Sequence, residues 1–519
     1  MSFELMAPLM FAGLVVFLLL GYPVAFSLAA NGLLFGLLGM QMGYFGFDQM
    51  QALPDRVFGI MSNSTLLAIP FFTFMGLVLE RSGMAEELLD TLGQLFGAIR
   101  GGLAYSVILV GALLAATTGV VAASVIAMGL ISLPIMLRHG YDKRLAAGVI
   151  AASGTLAQII PPSLVLIILA DQLGVGVGDM YRGALVPSLV LTGLYLGFVL
   201  LVSLAKPAAA PAMPVEARTL RGGALLRRAL ATMVPPLILV FLVLGTIFAG
   251  IATPTEGGAM GACGALVLAL AKRKLNLDLL RQAMDATTRL TSFVVFILIG
   301  STVFSLVFRL MDGDLWVEGL LASLPGGVLG FLIVVNLLVF ILGMFIDFFE
   351  IAFIVIPMLA PVAEKLLPGM FPPGTPVDGI MIWFGVVIAM NLQTSFLTPP
   401  FGFALFYLRS VAAKSDYKDR ITGATIPAVT TGQIYKGSIA FIVLQIIMVA
   451  VVVMKPELVI GNIAQTKQLD EKSVLDQLQN MGGSADPAPA AASAPGAAAS
   501  EEDPMKGFMD AIKQDQQKK

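Results

Sequence analysis

The stretch "SFLTPPFGFALF", residues 395–406, lies inside a long apolar segment, yet it carries two consecutive prolines, a glycine and two hydroxyl side chains. A proline inside a helix removes a hydrogen bond and clashes with the preceding turn, so a helix here breaks at Pro399–Pro400. In a membrane no water is at hand for the freed carbonyls, and another partner must meet them. A second stretch has the same character: "GTLAQIIPPSLVLIIL", residues 154–169, resembles "TSFLTPPFGFALFYL", residues 394–408.

The rest of the chain explains why such breaks matter. Of its 519 residues, 58% are hydrophobic and 12% charged, far from the usual balance of a soluble domain. Windows of about 18 or more apolar residues recur often enough for roughly ten crossings of a hydrocarbon core about 30 Å thick. Helices satisfy their own backbone groups in lipid, and the alternation of a membrane β-barrel is absent. The start, "MSFELMAPLMFAGLVVFLLLGYPVAF", lacks a positive leader and runs straight into further apolar sequence, so a retained helix is expected. A single cysteine, Cys263, excludes an internal disulfide, and a single histidine, His139, excludes a histidine-rich metal site.

Apolar runs fall at 6–20, 22–40, 64–82, 102–137, 145–171, 184–205, 232–249, 253–271, 290–311, 327–361, 381–409 and 438–454. Two of them, 102–137 and 327–361, are too long for one crossing and are interrupted near the middle by "AATTGVVAAS" and "GMFIDFFEIAF". Each is either a pair of full helices with a very short turn or a re-entrant hairpin. Lys206, Arg218, Arg221, Arg227 and Arg228 in one loop, with Lys272, Arg273, Lys274, Arg281 and Arg289 in another, place both loops in the cytoplasm. The loop with Asp312, Asp314 and Glu318 is then external. Hairpins are preferred, because the polar tips would otherwise face bulk water needlessly.

The expected fold is therefore an all-α polytopic membrane protein built of inverted-topology repeats, with two re-entrant helical hairpins and two broken helices. Residues 1–205 form the first repeat, with an inner hairpin at 102–137 and a broken helix at 145–171. Residues 206–231 are a cytoplasmic linker. Residues 232–454 form the second repeat, with an outer hairpin at 327–361 and a broken helix at 381–409. "ISLPIML" and "IVIPMLA", one after each hairpin tip, support the repeat. Interrupted helices at matching places of an inverted repeat point to a secondary transporter with its site near the midplane. Residues 455–519, rich in Ala and Pro, read as a disordered tail.

The breaks supply the chemistry. Ser153, Thr155, Gln158 and Ser163 flank one, and Gln393, Thr394, Ser395 and Thr398 the other. Uncharged oxygens at this density suit a monovalent cation such as sodium, whereas proton relays usually show several intramembrane acids or histidines. Thr117, Thr118, Gly119 and Ser124 at the first hairpin tip, and Gly343 and Asp347 at the second, add small polar groups and helix ends. Asp347 and Glu350 are charges inside an apolar run and are expected to face a cavity, a partner or the hairpin mouth. "TPTE", residues 253–256, reads as a cap, a first-turn proline and a favourable acid, which is role enough for Glu256. With no Walker loop, HExxH or GxSxG, the chain is expected to be no enzyme and to draw on an ion gradient.

Taken together, "GYPVAF", "ATPTEGGAMGA", "GTLAQIIPPSLVLIIL", "GMFIDFFEIAFIVIPMLAP" and "LTPPFGFALFYL" resemble the large membrane subunit of the tripartite ATP-independent periplasmic (TRAP) transporters, the DctM-like family. The resemblance spans residues from about 6 to 454. It implies an elevator mechanism, a small membrane subunit, a periplasmic substrate-binding protein and placement in the bacterial inner membrane. It further implies sodium as the coupling ion, no cofactor, and an organic acid, mostly a carboxylate, as substrate; lipid surrounds the chain and nothing suggests nucleic acid. Carried onto this sequence, the family's sodium regions fall at Thr117, Thr118, Ser153, Gly154, Thr155, Gly343, Asp347, Thr394, Ser395, Thr398 and Pro399. Its substrate regions fall at Ser124, Gln158, Pro162, Ser163, Gln393 and Pro400. The small subunit is not expected to be fused, since the first span begins near residue 6. A stand-alone ion-coupled organic anion transporter or exchanger of similar fold is the alternative; a hydrolase using Asp347 and Glu350 is a distant one.

Overall fold

The structure, a computed structural model, describes residues 3–419 and 422–463. The expected tail therefore lies outside the described residues beyond 463, while helical chain extends past 455. Ten helices among the described residues are long and apolar enough to cross a membrane.

In chain order the helices are α1 (Met6–Leu19), α2 (Val24–Gln41), α3 (Phe47–Met50), α4 (Ala52–Ser62), α5 (Ala68–Arg81) and α6 (Met84–Phe96). Then come α7 (Gly102–Thr118), α8 (Val121–Arg138), α9 (Lys143–Thr155), α10 (Leu164–Gln172) and the 29-residue α11 (Val177–Ala205). The middle of the chain holds α12 (Gly222–Phe248), α13 (Pro254–Ala271), the 34-residue α14 (Leu277–Leu310), α15 (Gly313–Ala322) and α16 (Gly327–Leu342). Last come α17 (Phe348–Glu350), running through one π turn into α18 (Ile356–Leu366), then α19 (Val377–Phe396), α20 (Phe403–Val411), α21 (Thr431–Met454) and α22 (Glu457–Ile460).

Both long runs break where their polar interruptions lie. Gly119 sits at φ +60° between α7 and α8, a left-handed conformation that glycine adopts without cost. Residues 343–347 separate α16 from α17. The two PP motifs end α9 and α19, and both Pro–Pro bonds are cis.

Several elements differ from the sequence reading. The basic loops are shorter than expected, because α12 begins at Gly222 and α14 at Leu277, so Arg227, Arg228, Arg281 and Arg289 stand on helices. Long arginine side chains reach outward from a helix end and let the helix outrun the apolar core. The amphipathic α4 and α6 escape a search for wholly apolar windows; α6 buries Met84, Leu88, Leu89 and Leu92 along one face while Glu86 stays exposed. α15 and α16 meet at a bend of 116°. A two-residue antiparallel ladder, Tyr417–Lys418 with Thr425–Ile426, follows α20 among the otherwise helical elements of the described residues.

Packing sorts the helices by neighbour. α2 lies along α14, and α5 along α13. α9 is enclosed by α7, α8, α20 and α21, and α19 by α10, α11, α16, α18 and α21. α19 is buried along its length from Gly379 to Phe396, as a helix apolar on every side must be. Exchanging α2 with α13, α5 with α14, α9 with α19, α10 with α20 and α11 with α21 turns α2–α14 into α13–α5, α9–α20 into α19–α10 and α9–α21 into α19–α11, whereas α19–α21 has no comparable counterpart between α9 and α11.

Candidate functional site

The first break is sealed. Every residue from Leu145 to Ala170 is buried. After α9 the chain makes a 3-10 turn, Leu156–Gln158, packed against α7, α8 and α19. Ser163 Oγ donates to the Gln158 carbonyl at 2.7 Å, and the Tyr181 hydroxyl reaches the Ser163 carbonyl at 3.5 Å. Ser153 and Thr155 turn their hydroxyls back onto the Val149 and Ala152 carbonyls. Among the described residues the carbonyls of Pro161 and Pro162 accept no hydrogen bond, and neither side-chain amide atom of Gln158 has a partner. Buried polar groups are rarely left so, and a ligand is one remedy.

The first hairpin tip lies against this break. A Cβ on Gly119 would stand 3.4 Å from the Pro162 carbonyl oxygen. Thr117 and Thr118 donate to the Leu114 carbonyl, and Thr118 shares a 2.8 Å hydrogen bond with Ser124. Gly154 packs so tightly on Val125 that a Cβ there would come within 3.1 Å of its backbone. The expected tip and break residues of the first half are thus brought together.

The second break is partly open. Gln393, Thr394 and Ser395 are buried, but Thr398 and Pro399 are only partly covered and Pro400 is exposed. Thr394, Ser395 and Thr398 donate to the Met390, Leu392 and Thr394 carbonyls, while the Tyr435 hydroxyl takes the Pro400 carbonyl at 2.8 Å. Among the described residues the Pro399 carbonyl accepts no hydrogen bond. Gly343 of the second hairpin touches Ser395, where a Cβ would collide with Oγ, and Phe345 packs on Phe401 with ring centroids 5.0 Å apart.

Glu350 lines a cavity with Pro23, Phe26 and Phe296, as expected of a charge in an apolar run, and it shares a local role with Asp347. They form a capping box: the Asp347 carboxylate accepts from Phe348 N–H at 2.7 Å, and the Glu350 carboxylate from Asp347 N–H at 3.1 Å. This is the arrangement by which short polar side chains start a helix. Thr253 and Glu256 make the same box at α13, as expected.

Two residues not foreseen join the halves. Tyr195 on α11 and Gln445 on α21 are buried and bonded at 2.8 Å, and the Gln393 amide reaches both Thr155 and the Tyr195 hydroxyl at 3.4 Å. Gln445 carries its own signal as the lone amide in the apolar run "FIVLQIIMVAVVV".

Beside this core, a cavity of about 490 Å³ separates α4 and α14 from α10 and α18. Arg56 and Arg309 line it from the first pair, and Asp171 and Glu364 from the second. Asn63 bridges it by donating to Asp171 at 2.7 Å.

Residues 11–458 match the family described as Tripartite ATP-independent periplasmic transporter, DctM component. The C4-dicarboxylate TRAP transporter large permease protein DctM of Pseudomonas aeruginosa is 32% identical over 389 residues, covering 74% of this chain and 84% of that one. Its namesake in Vibrio cholerae is 28% identical over 430 residues, covering 78% and 89%. Among solved structures, the YdaH transporter of Alcanivorax borkumensis superposes with a TM-score of 0.50 at 16% identity, over 78% of this chain and 88% of that one, a likeness of fold.

Proposed function

The chain belongs to the DctM-component family of tripartite ATP-independent periplasmic transporters, and we propose that it is the permease of a sodium-coupled importer of an organic acid. The observation that carries this is the pair of hairpin tips seated on two broken helices, each with carbonyls and amides left unmatched at membrane depth. Sodium needs several oxygens that cost little to desolvate, and uncharged hydroxyls, amides and carbonyls meet that need. Gln158, Thr155 and the Pro161 and Pro162 carbonyls offer them in the first half; Thr398, Ser395 and the Pro399 carbonyl do so in the second. The substrate lies beside them, toward Ser124 and Gln393, with the C4-dicarboxylates named for its relatives as first candidates.

The exchange of helix pairings supports an inverted repeat, with α2, α5, α13 and α14 as scaffold and α7–α10 with α16–α20 as the moving part. Movement is elevator-like, and the polar cavity between α14 and α18 lies on its sliding face. A small membrane subunit and a periplasmic capture protein complete the system, in keeping with the family's tripartite name, in the inner membrane of a bacterium.

The test is reconstitution of this chain with its small subunit and capture protein in proteoliposomes, followed by uptake of radiolabelled C4-dicarboxylates. Uptake should vanish when the capture protein is omitted. Full transport without it would favour the stand-alone transporter.

A further inference from the structure

The two Pro–Pro pairs are 238 residues apart in the chain, and so are Thr155 and Gln393, whose side chains meet at 3.4 Å. Residues that are equivalents of one another under a two-fold relation can touch only beside its axis. The contact therefore marks the point where the end of α9 and the turn after it meet α19.

Two further side chains close around that point from helices outside the breaks. Gln393 and Gln445 both donate to the Tyr195 hydroxyl, at 3.4 and 2.8 Å. Tyr195 and Gln393 are wholly buried and Gln445 is 1% exposed, and the Tyr195 ring is held edge-on to Phe441 at 5.2 Å. The Oε1 atoms of Gln393 and Gln445 have no partner among the described residues. The cluster thus links α9, α19, α11 and α21 through a hydrogen-bond chain that retains unused acceptors. In a buried chain of this kind each bond depends on its neighbours.

We propose that Tyr195 and Gln445 are positioning residues that couple the two breaks, so that a cation held at one alters the affinity of the other. The inference rests on the sodium-coupled reading above. A cation drawing on Thr155 Oγ1 competes with the Gln393 amide for that oxygen. Gln393 then leans on Tyr195, whose place is fixed by Gln445, and the turn Thr394–Thr398 that follows Gln393 moves with it. Coupling passes through a defined bonded chain rather than through general rigidity.

The experiment is a sodium titration of initial uptake by the full chain with both partner proteins in proteoliposomes, at saturating substrate. Wild type should activate sigmoidally. Gln445→Leu keeps the volume and loses one hydrogen bond, and Tyr195→Phe keeps the ring and loses two; the first should raise half-activating sodium about fivefold, the effect of one lost bond, the second by more, and both should bring the Hill coefficient toward unity. Maximal rate should stay near wild type, and the thermal midpoint should fall by no more than a few degrees, the cost of the stranded donors. A wild-type sodium curve in both variants overturns the proposal. So does loss of maximal rate and thermal midpoint with the sodium curve unmoved, because that pattern belongs to a structural role. A wild type equally active in choline would instead sink the sodium reading, and this inference with it.

Discussion

Two glycines set the tolerances of the site. A Cβ at Gly343 would collide with Ser395 Oγ and crowd its Cβ, and one at Gly154 would collide with the Val125 side chain and press on its backbone. Overpacking of this kind costs about 1–3 kcal/mol. Gly343→Ala should therefore lower uptake by about tenfold in protein that still reaches the membrane, whereas Gly193→Ala, with nothing within 4 Å of its Cβ, should leave uptake unchanged. Equal effects of the two would remove the tight tip from the account. The carboxylates beside that tip are separable by a second pair of variants. Asp347→Asn keeps an acceptor for the Phe348 N–H and should transport within about twofold of wild type, while Asp347→Ala should lower stability by about 1 kcal/mol in thermal unfolding. Loss of transport in the Asn variant would give the charge itself a role.

At the scale of elements, the hairpin–break pairs need holding from outside, and one clasp is visible. Arg138 at the end of α8 grips Asp419, in the loop after α20, through two hydrogen bonds of 2.9 and 2.8 Å, and Thr422 adds two more. The Arg138 guanidinium, then the Thr422 hydroxyl, hold the Asp419 carboxyl well below the usual carboxylate range. A depressed folded-state pKa stabilises above the unfolded value, about 3.9, and that stabilisation disappears as pH falls through the folded value. Asp419→Asn should thus lower the thermal midpoint by a few degrees at pH 7, with the gap to wild type narrowing below about pH 4. The clasp was not legible in the sequence, because 281 residues separate its partners and nothing local announces it. The breaks were legible, since proline and glycine act on their own backbone, and so were the apolar spans, whose length the bilayer dictates. α4 and α6 were missed for the converse reason: they are short and amphipathic and carry no apolar run of lipid length. Tyr195 was missed because a single polar residue on an apolar helix gains meaning only from what it touches, and Gln445, though a lone amide in an apolar run, because its partner lies 250 residues away.

In the proposed mechanism of the whole molecule, one group of helices slides past another carrying cation and substrate. Asn63, just after α4, and Asp171, on α10, are bonded at the place where the two groups would slide past each other. With the lone exposed Cys263 replaced by alanine, Asn63→Cys with Asp171→Cys should be locked by a short bifunctional thiol crosslinker. Uptake should stop in the crosslinked double variant and persist in each single one; persistence in the crosslinked double variant would mean that this boundary does not slide. The most direct measurement of the central claim is initial uptake of a C4-dicarboxylate into proteoliposomes holding this chain and its small subunit, with the capture protein outside and sodium, potassium or choline as the external cation. The account predicts concentrative uptake with sodium and none above background with the other two. Equal uptake in all three would contradict it.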